Sequence, residues 1–280
     1  MRLGRATMPP EGWTIITGAG RGLGRALALE LASLGACIFA TDIDADAAKE
    51  TAELAAHKGS QRTAHRKCDV TQIAEFEALV EALDGQPVGL LINNAGVACG
   101  GEIGKTPLED WKWSMETNFF GAVNGCHVFV PLMRKQGCGL IVNIASAGGF
   151  LNIPDAAAYS APKAAVVSLT ETLAAELHGT GVKAKVICPL FLRTDAVEGG
   201  RFTDEATREA GRRLVRQGRC PAGMARRIVH LILHRSAVVI IPEREGRWLR
   251  RLKYWLPGLY ISLVSAARRR FYAADNQSAV

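Results

Sequence analysis

No run of eighteen apolar residues occurs in this 280-residue sequence, which argues against a membrane-spanning helix. No two cysteines stand as C-x-x-C. The seven, at positions 37, 68, 99, 126, 138, 188 and 220, are odd in number and scattered, so neither a disulfide framework nor a zinc site is read from them. Reduced thiols and a cytoplasmic setting fit best. His230 and His234 are four apart, as metal ligands can be, but no third ligand is near them in sequence; a helix face is the reading and no metal is expected. The first twelve residues carry two arginines with no apolar run after them, so no secretory signal is read there, and residues 1–11 are expected to form a flexible tail.

Acidic residues are scarce towards one end. Residues 201–280 hold 17 Lys and Arg against 6 Asp and Glu, a net of +11 within a chain of net +7, which leaves −4 for residues 1–200. The basic character is therefore a property of the C-terminal part. The length suits one α/β domain with a large core, over residues 12–246, followed by an extension over residues 247–280.

From Trp13 a short β-rich run, Trp-Thr-Ile-Ile-Thr, leads into Gly18-Ala19-Gly20-Arg21-Gly22-Leu23-Gly24 and then a helical pattern over residues 25–34. Strand, glycine turn and helix together make the context of a dinucleotide site, because glycines let the backbone approach a pyrophosphate at a helix N-terminus. The same turn would also serve simply to pack helix on strand. A second strand, residues 37–41, ends at Asp42, eighteen residues beyond Gly24. An acid there accepts from the adenosine ribose hydroxyls and repels a 2′-phosphate, favouring NAD over NADP. Arg21 pulls the other way, as a cation in the glycine turn able to meet that phosphate, so NADP stays possible. A third strand, residues 62–67, closes with Cys68-Asp69-Val70-Thr71, and a strongly apolar fourth, residues 88–92, runs into Asn93-Asn94-Ala95-Gly96. Small residues at such a strand end leave room for a cofactor.

Tyr159-Ser160-Ala161-Pro162-Lys163 sets a phenol and an ammonium four residues apart, on one face if they begin a helix. A nearby cation favours the phenolate, so Lys163 is expected to lower the Tyr159 pKa and make it a base near neutral pH. Pro162 is tolerated in a first helical turn, which puts the expected helix start near Ala158 or Tyr159.

Taken in order, Thr17-Gly-Ala-Gly-Arg-Gly-Leu-Gly24, Asp69-Val70, Asn93-Asn-Ala-Gly96 and Tyr159-x-x-x-Lys163 resemble the short-chain dehydrogenase/reductase family over residues 12–241. The resemblance implies a doubly wound Rossmann fold of α/β class, with a seven-stranded parallel sheet ordered 3-2-1-4-5-6-7 and flanked by helices. It implies a catalytic set of Asn118, in a helix over residues 111–133, Ser146, thirteen residues before Tyr159, Tyr159 itself and Lys163. Tyr159 would be the base in alcohol oxidation and the acid in ketone reduction, Lys163 would also bond the nicotinamide ribose, and Ser146 would hold the substrate oxygen. Asn118 matches the Asn that helps position a relay water near the lysine. Pro189, Leu192 and Thr194 match the segment beside the carboxamide, although Leu190 stands where the family has glycine. Cofactor contacts are expected from Gly18, Gly20, Arg21, Gly22, Leu23, Gly24, Asp42, Asp69, Val70, Asn94, Ala95, Gly96, Tyr159, Lys163, Pro189, Leu192 and Thr194. Substrate contacts are expected from Ser146, Tyr159, Phe150 and Leu190. The activity implied is interconversion of a secondary alcohol and a ketone, with an apolar or bulky substrate, by a homodimer or homotetramer. A 3-oxoacyl-thioester reductase of the same family and a cofactor-binding regulator without turnover are the alternatives.

Residues 195–218 are polar and Gly-punctuated, where the family carries a variable substrate lid; Thr203 and Asp204 would cap a lid helix over residues 205–216. In the extension, aromatic and aliphatic residues are bracketed by Arg and Lys. That pattern suits an interfacial helix on a membrane, and equally an arm packed on the same chain or a second subunit, closing the substrate pocket. Nucleic acid is not expected, since no base-reading module accompanies the charge.

Overall fold

The computed structural model describes residues 11–277, the side chains of residues 270–277 excepted. The flexible tail expected over residues 1–11 thus lies outside the described residues apart from Glu11. Strand and helix alternate from the start: β1 (Trp13–Thr17), α1 (Gly22–Ser33), β2 (Cys37–Asp42), α2 (Ala45–His57), β3 (Thr63–Lys67), α3 (Ile73–Ala82) and β4 (Val88–Asn93). A two-residue strand β5 (Cys99–Gly100) precedes α4 (Leu108–Met115), a π-helical turn (Glu116–Phe120), α5 (Gly121–Gln136), β6 (Gly139–Ile144), α6 (Gly148–Leu151), α7 (Ala157–Glu176) and β7 (Val182–Ile187). The chain finishes with a 3₁₀ turn (Asp195–Val197), β8 (Arg201–Phe202), α8 (Glu205–Arg216), α9 (Pro221–His234), β9 (Val239–Ile240), α10 (Arg244–Trp255) and α11 (Pro257–Gln277).

Seven strands form one parallel sheet in the order β3-β2-β1-β4-β6-β7-β9. Counting only its own strands, this is the expected 3-2-1-4-5-6-7. Parallel neighbours need long crossovers, and the helices that supply them cover both faces of the sheet. The inner strands β1, β4 and β6 are accordingly buried along their whole length. In β1, Ile16 faces the layer of α1 and α9 with Leu27, Leu31, Ile228 and Ile232, while Ile15 faces Phe76, Phe129 and Met133 on the other side. Strand order reverses between β1 and β4, the switch point where open α/β sheets bind ligands.

Three expectations are corrected here. The helix expected over residues 111–133 is α4 and α5 joined by the π turn, with Asn118 inside the turn. The last strand is Val239–Ile240 rather than residues 237–241. And α7 starts at Ala157, so Pro162 lies in its second turn. There a proline deprives the carbonyl four residues back of its N–H. That carbonyl belongs to Ala158, and the Ser114 hydroxyl donates to it at 2.8 Å. A side chain from α4 thus supplies the bond that the helix backbone lacks.

The extension folds back on its own chain. α10 straddles residue 247, and with α11 it packs on α6 and the segment after β7: Leu249, Leu252, Tyr260 and Val264 meet Ala147, Leu151, Ile153 and Leu190. The Tyr260 hydroxyl donates to the Leu151 carbonyl, Lys253 Nζ donates to the Phe150 carbonyl at 2.6 Å, and Arg268 forms a two-pronged pair with Asp155 and reaches Glu102.

Candidate active site

Loops from the C-terminal ends of β1, β2, β4, β6 and β7 meet at the switch point. The glycine turn after β1 is tied to the loop after β4. Asn94 Nδ2 donates to the carbonyls of Thr17 and Gly18, and the amides of Asn94 and Ala95 both donate to the Thr17 hydroxyl, at 3.0 and 3.1 Å. Asn94 therefore acts as a strut beneath the turn. A side chain at Gly24 would put its Cβ 2.0 Å from the Gly18 carbonyl oxygen, so only glycine lets α1 begin this close to the strand. Arg21, at the N-cap of α1, makes no side-chain cap bond, and the first amides of the helix stay open to an anion.

Asp42 ends β2, is buried, and accepts from two backbone amides: Gly20 at 2.8 Å and Asp44 at 3.1 Å. Its carboxylate is thereby fixed beside the glycine turn. Arg21 is exposed and leans towards Asp44, 3.6 Å away. The turn, the open helix start and the fixed acid fit the two phosphates and the diol of a dinucleotide.

The four residues expected to act together are brought together. Asn118 is buried in the π turn, a feature common where a helix serves a site. Its side chain clamps the backbone of Val97 on both edges, accepting from the amide at 3.1 Å and donating to the carbonyl at 3.0 Å, and donates to Ser114 Oγ at 3.0 Å. Ser146 follows β6, and its hydroxyl accepts from the Gly148 amide at 3.0 Å. Lys163 is buried, with Nζ donating to the Ile144 carbonyl at 3.1 Å and lying 5.9 Å from the centre of the Tyr159 ring. A Cβ at Gly96 would stand 2.6 Å from Asn118 Oδ1 and 3.1 Å from Lys163 Nζ, so the bare backbone there keeps the two groups apart from any side chain.

Burial sets the electrostatics. It raises the Tyr159 pKa, partly offset by a hydrogen bond with Ser146, and it lowers that of Lys163 to about 8. The expected depression of the phenol by Lys163 is therefore not what the protein alone shows: desolvation disfavours the charged form of either group.

Of the remaining expected contacts, Asp69 caps its own turn, accepting from the Thr71 amide and hydroxyl, and Val70 packs against Gly121. Pro189 gives its carbonyl to the Ala147 amide, Leu192 pairs with Arg219, and Thr194 approaches the glycine turn, its Cγ2 3.3 Å from where a Gly22 Cβ would be. Leu190 is accommodated where glycine was expected, since its φ is not positive and its amide donates to Glu243 Oε1 at 3.2 Å. Glu243 is buried, burial raises its pKa, and its Oε2 has no hydrogen-bond partner. Phe150, in α6, is partly buried against the extension.

The helix expected as a lid, α8, is capped by Asp204, which accepts from the Thr207 amide at 2.7 Å, and β8 pairs with β5. His230 and His234 stack on each other, and among the described residues no three His, Cys, Asp or Glu side chains gather as a metal site. Sequence reasoning missed Ser114, Glu243 and the three ties made by Lys253, Tyr260 and Arg268. A helix-interior proline is the one local signal that a partner such as Ser114 is needed.

The sequence profile of the family described as short chain dehydrogenase matches residues 12–204. The chain belongs to that family. A putative oxidoreductase SadH of Mycobacterium tuberculosis is 32% identical over 270 residues, 92% of this chain and 95% of its own. A 2-(R)-hydroxypropyl-CoM dehydrogenase of Xanthobacter autotrophicus is 33% identical over 185 residues, 64% of this chain and 74% of its own. A short-chain dehydrogenase/reductase from Burkholderia phymatum, solved in complex with NAD, superimposes with a TM-score of 0.82 at 32% identity, covering 90% of this chain and 96% of that one. Members of the short-chain dehydrogenase family are oxidoreductases that use a nicotinamide dinucleotide, and that coarse description holds for this chain.

Proposed function

We propose that the protein interconverts a secondary alcohol and a ketone, the substrate being apolar or bulky, with NAD(H) as cofactor. The observation that carries this reading is the convergence of Ser146, Tyr159 and Lys163 beside the glycine turn and the fixed Asp42. Gly18, Gly20, Gly22, Leu23 and Gly24 would hold the pyrophosphate, Asp42 the adenosine ribose, and Asn94, Ala95, Gly96, Pro189, Leu192 and Thr194 the nicotinamide end. A bound nicotinamide ring supplies the acceptor or donor of hydride. The chain supplies the rest. In ketone reduction the Tyr159 Oη gives its proton to the substrate oxygen, and in oxidation it takes the hydroxyl proton. Ser146 Oγ holds that oxygen where charge develops, and Lys163 compensates charge on the phenol. Asn118, through its grip on Val97 and Ser114, positions the floor of the site.

NAD is favoured over NADP because Asp42 repels a 2′-phosphate while Arg21 is drawn towards Asp44. The Burkholderia phymatum relative was solved with NAD. Phe150, Leu190 and the extension give the substrate side its apolar character. We read the chain as a homodimer or homotetramer, and residues 247–280 as the part that meets a membrane surface without crossing it.

A panel of secondary alcohols and ketones, run with both cofactors on the wild type and on Tyr159→Phe, tests the reading. The variant is expected to lose about 10²–10⁴-fold in kcat. Unchanged turnover would remove Tyr159 from the chemistry, and much tighter binding of NADPH than NADH would show that Arg21 outweighs Asp42.

A further inference from the structure

On α11, Tyr260, Val264 and Arg268 recur at four-residue intervals and all face the body of the protein, bonding or packing to Leu151, α6, Asp155 and Glu102. The opposite side of the hairpin is left bare. Trp248, Trp255, Leu256, Leu259, Ile261 and Leu263 are all exposed, Trp255 to 74%. Five of them fall within residues 255–263, around the junction of the two helices. Scattered exposed apolar residues need no explanation, but a clustered patch of aromatic and aliphatic side chains marks an interaction surface.

The charges around the patch select its occupant. Arg244, Arg250 and Arg251 are exposed on α10, and neither Arg250 nor Arg251 forms an ion pair within the described residues. A second copy meeting this face by two-fold symmetry would set arginines against arginines. An anionic lipid surface complements them, and Trp beside Arg and Leu is the composition that settles at the headgroup boundary. Among the described residues no helix is long and apolar enough to cross a membrane.

The inner side of the same hairpin is a wall of the substrate side, since Leu249, Leu252 and Tyr260 pack with Ala147, Leu151, Phe150 and Leu190. We propose that the α10–α11 hairpin docks on an anionic lipid surface through residues 255–263 and Arg250 and Arg251, and that the apolar alcohol or ketone reaches the site from that surface. The docking half carries the membrane reading above to named residues and lipid chemistry, and the second half rests on the oxidoreductase reading. The hairpin serves as both anchor and pocket wall.

The test uses the full-length protein and sedimentation with vesicles of phosphatidylcholine alone or of phosphatidylcholine with phosphatidylglycerol. Binding is expected only to the second kind. It should fall by at least about tenfold in Arg250→Glu/Arg251→Glu and in Trp255→Ser/Ile261→Ser, whose exposed positions leave the thermal melt unchanged. Equal binding to both vesicles, or binding that neither double variant reduces, overturns the proposal. So does a drop in oligomeric mass of Trp255→Ser/Ile261→Ser in the absence of vesicles, which would make the patch an interface between copies.

Two ketones with the same reacting group, one short and water-soluble and one long-chain and vesicle-borne, test the second half. The tip variant should slow turnover of the long ketone and leave the short one unchanged. Turnover of the short ketone by a protein that ignores vesicles would sink the docking alone. Vesicle binding with no turnover of any ketone or alcohol would sink the oxidoreductase reading alone.

Discussion

Tyr159 and Lys163 share one low-polarity site, and burial disfavours the charged form of each, moving the pKa of the phenol up and that of the ammonium down to about 8. Below that value the pair holds a neutral phenol and a cation, the form that donates a proton to a ketone. Loss of one proton from the pair, whichever atom carries it, creates the form that accepts a proton from an alcohol. Alcohol oxidation should therefore rise with pH through about 8, and ketone reduction should fall over the same range. The check is kcat/KM against pH for both directions. Lys163→Met should move the oxidation limb upward, because the phenol then titrates alone at its raised value. An oxidation rate flat between pH 7 and 9 would mean that this pair does not set the protonation state of the site.

At the scale of elements, the unusual join is between α4 and α7. Pro162 takes an N–H out of α7, Ser114 of α4 replaces it at the Ala158 carbonyl, and Ser114 is also an acceptor for Asn118. Ser114→Ala should cost about 1–3 kcal/mol, the penalty of leaving a buried carbonyl unpaired. In a Pro162→Ala background the residue at 162 regains its N–H and serves Ala158 itself. The same Ser114→Ala change should then cost about 1 kcal/mol less, read as the coupling in a double-mutant cycle of denaturant melts. Additive costs would mean that the proline and the serine are unrelated. This join also marks the limit of what the sequence discloses. The alternation of apolar runs with glycine and asparagine turns is local, and it made the strands and helices readable; the parallel sheet and its strand order followed from the family resemblance. The residues proposed to hold a cofactor are readable because the roles proposed for them demand fixed residue types: glycine at close approach, an acid at the end of β2, Tyr and Lys four apart. Ser114 was not, since its task is set by a proline 48 positions later and only the packing of two helices brings them together. Glu243 was hidden for the same reason, because nothing near it in sequence says that the Leu190 amide needs an acceptor. The pKa of Tyr159 was misjudged because side-chain spacing conveys the nearby cation and not the depth of burial.

For the molecule as a whole, the extension is joined to the segment that leads into α7. Arg268 holds Asp155, whose own φ of 57° is left-handed and whose carbonyl takes the Gly101 amide, so the approach to α7 is fixed from two sides. Arg268→Ala should leave NADH affinity unchanged, since no cofactor contact is touched, and should lower kcat by up to about a hundredfold through displacement of Tyr159. A cofactor fluorescence titration beside steady-state kinetics separates the two; weakened NADH binding with kcat intact would mean the brace serves the other side of the site. The sequence distance that this brace spans, 166 positions from Glu102 to Arg268, also bears on synthesis. A ribosome delivers the glycine turn first and the brace almost last. The glycine turn and all seven strands of the sheet precede Arg268, so the brace closes on a sheet whose strands have already been made.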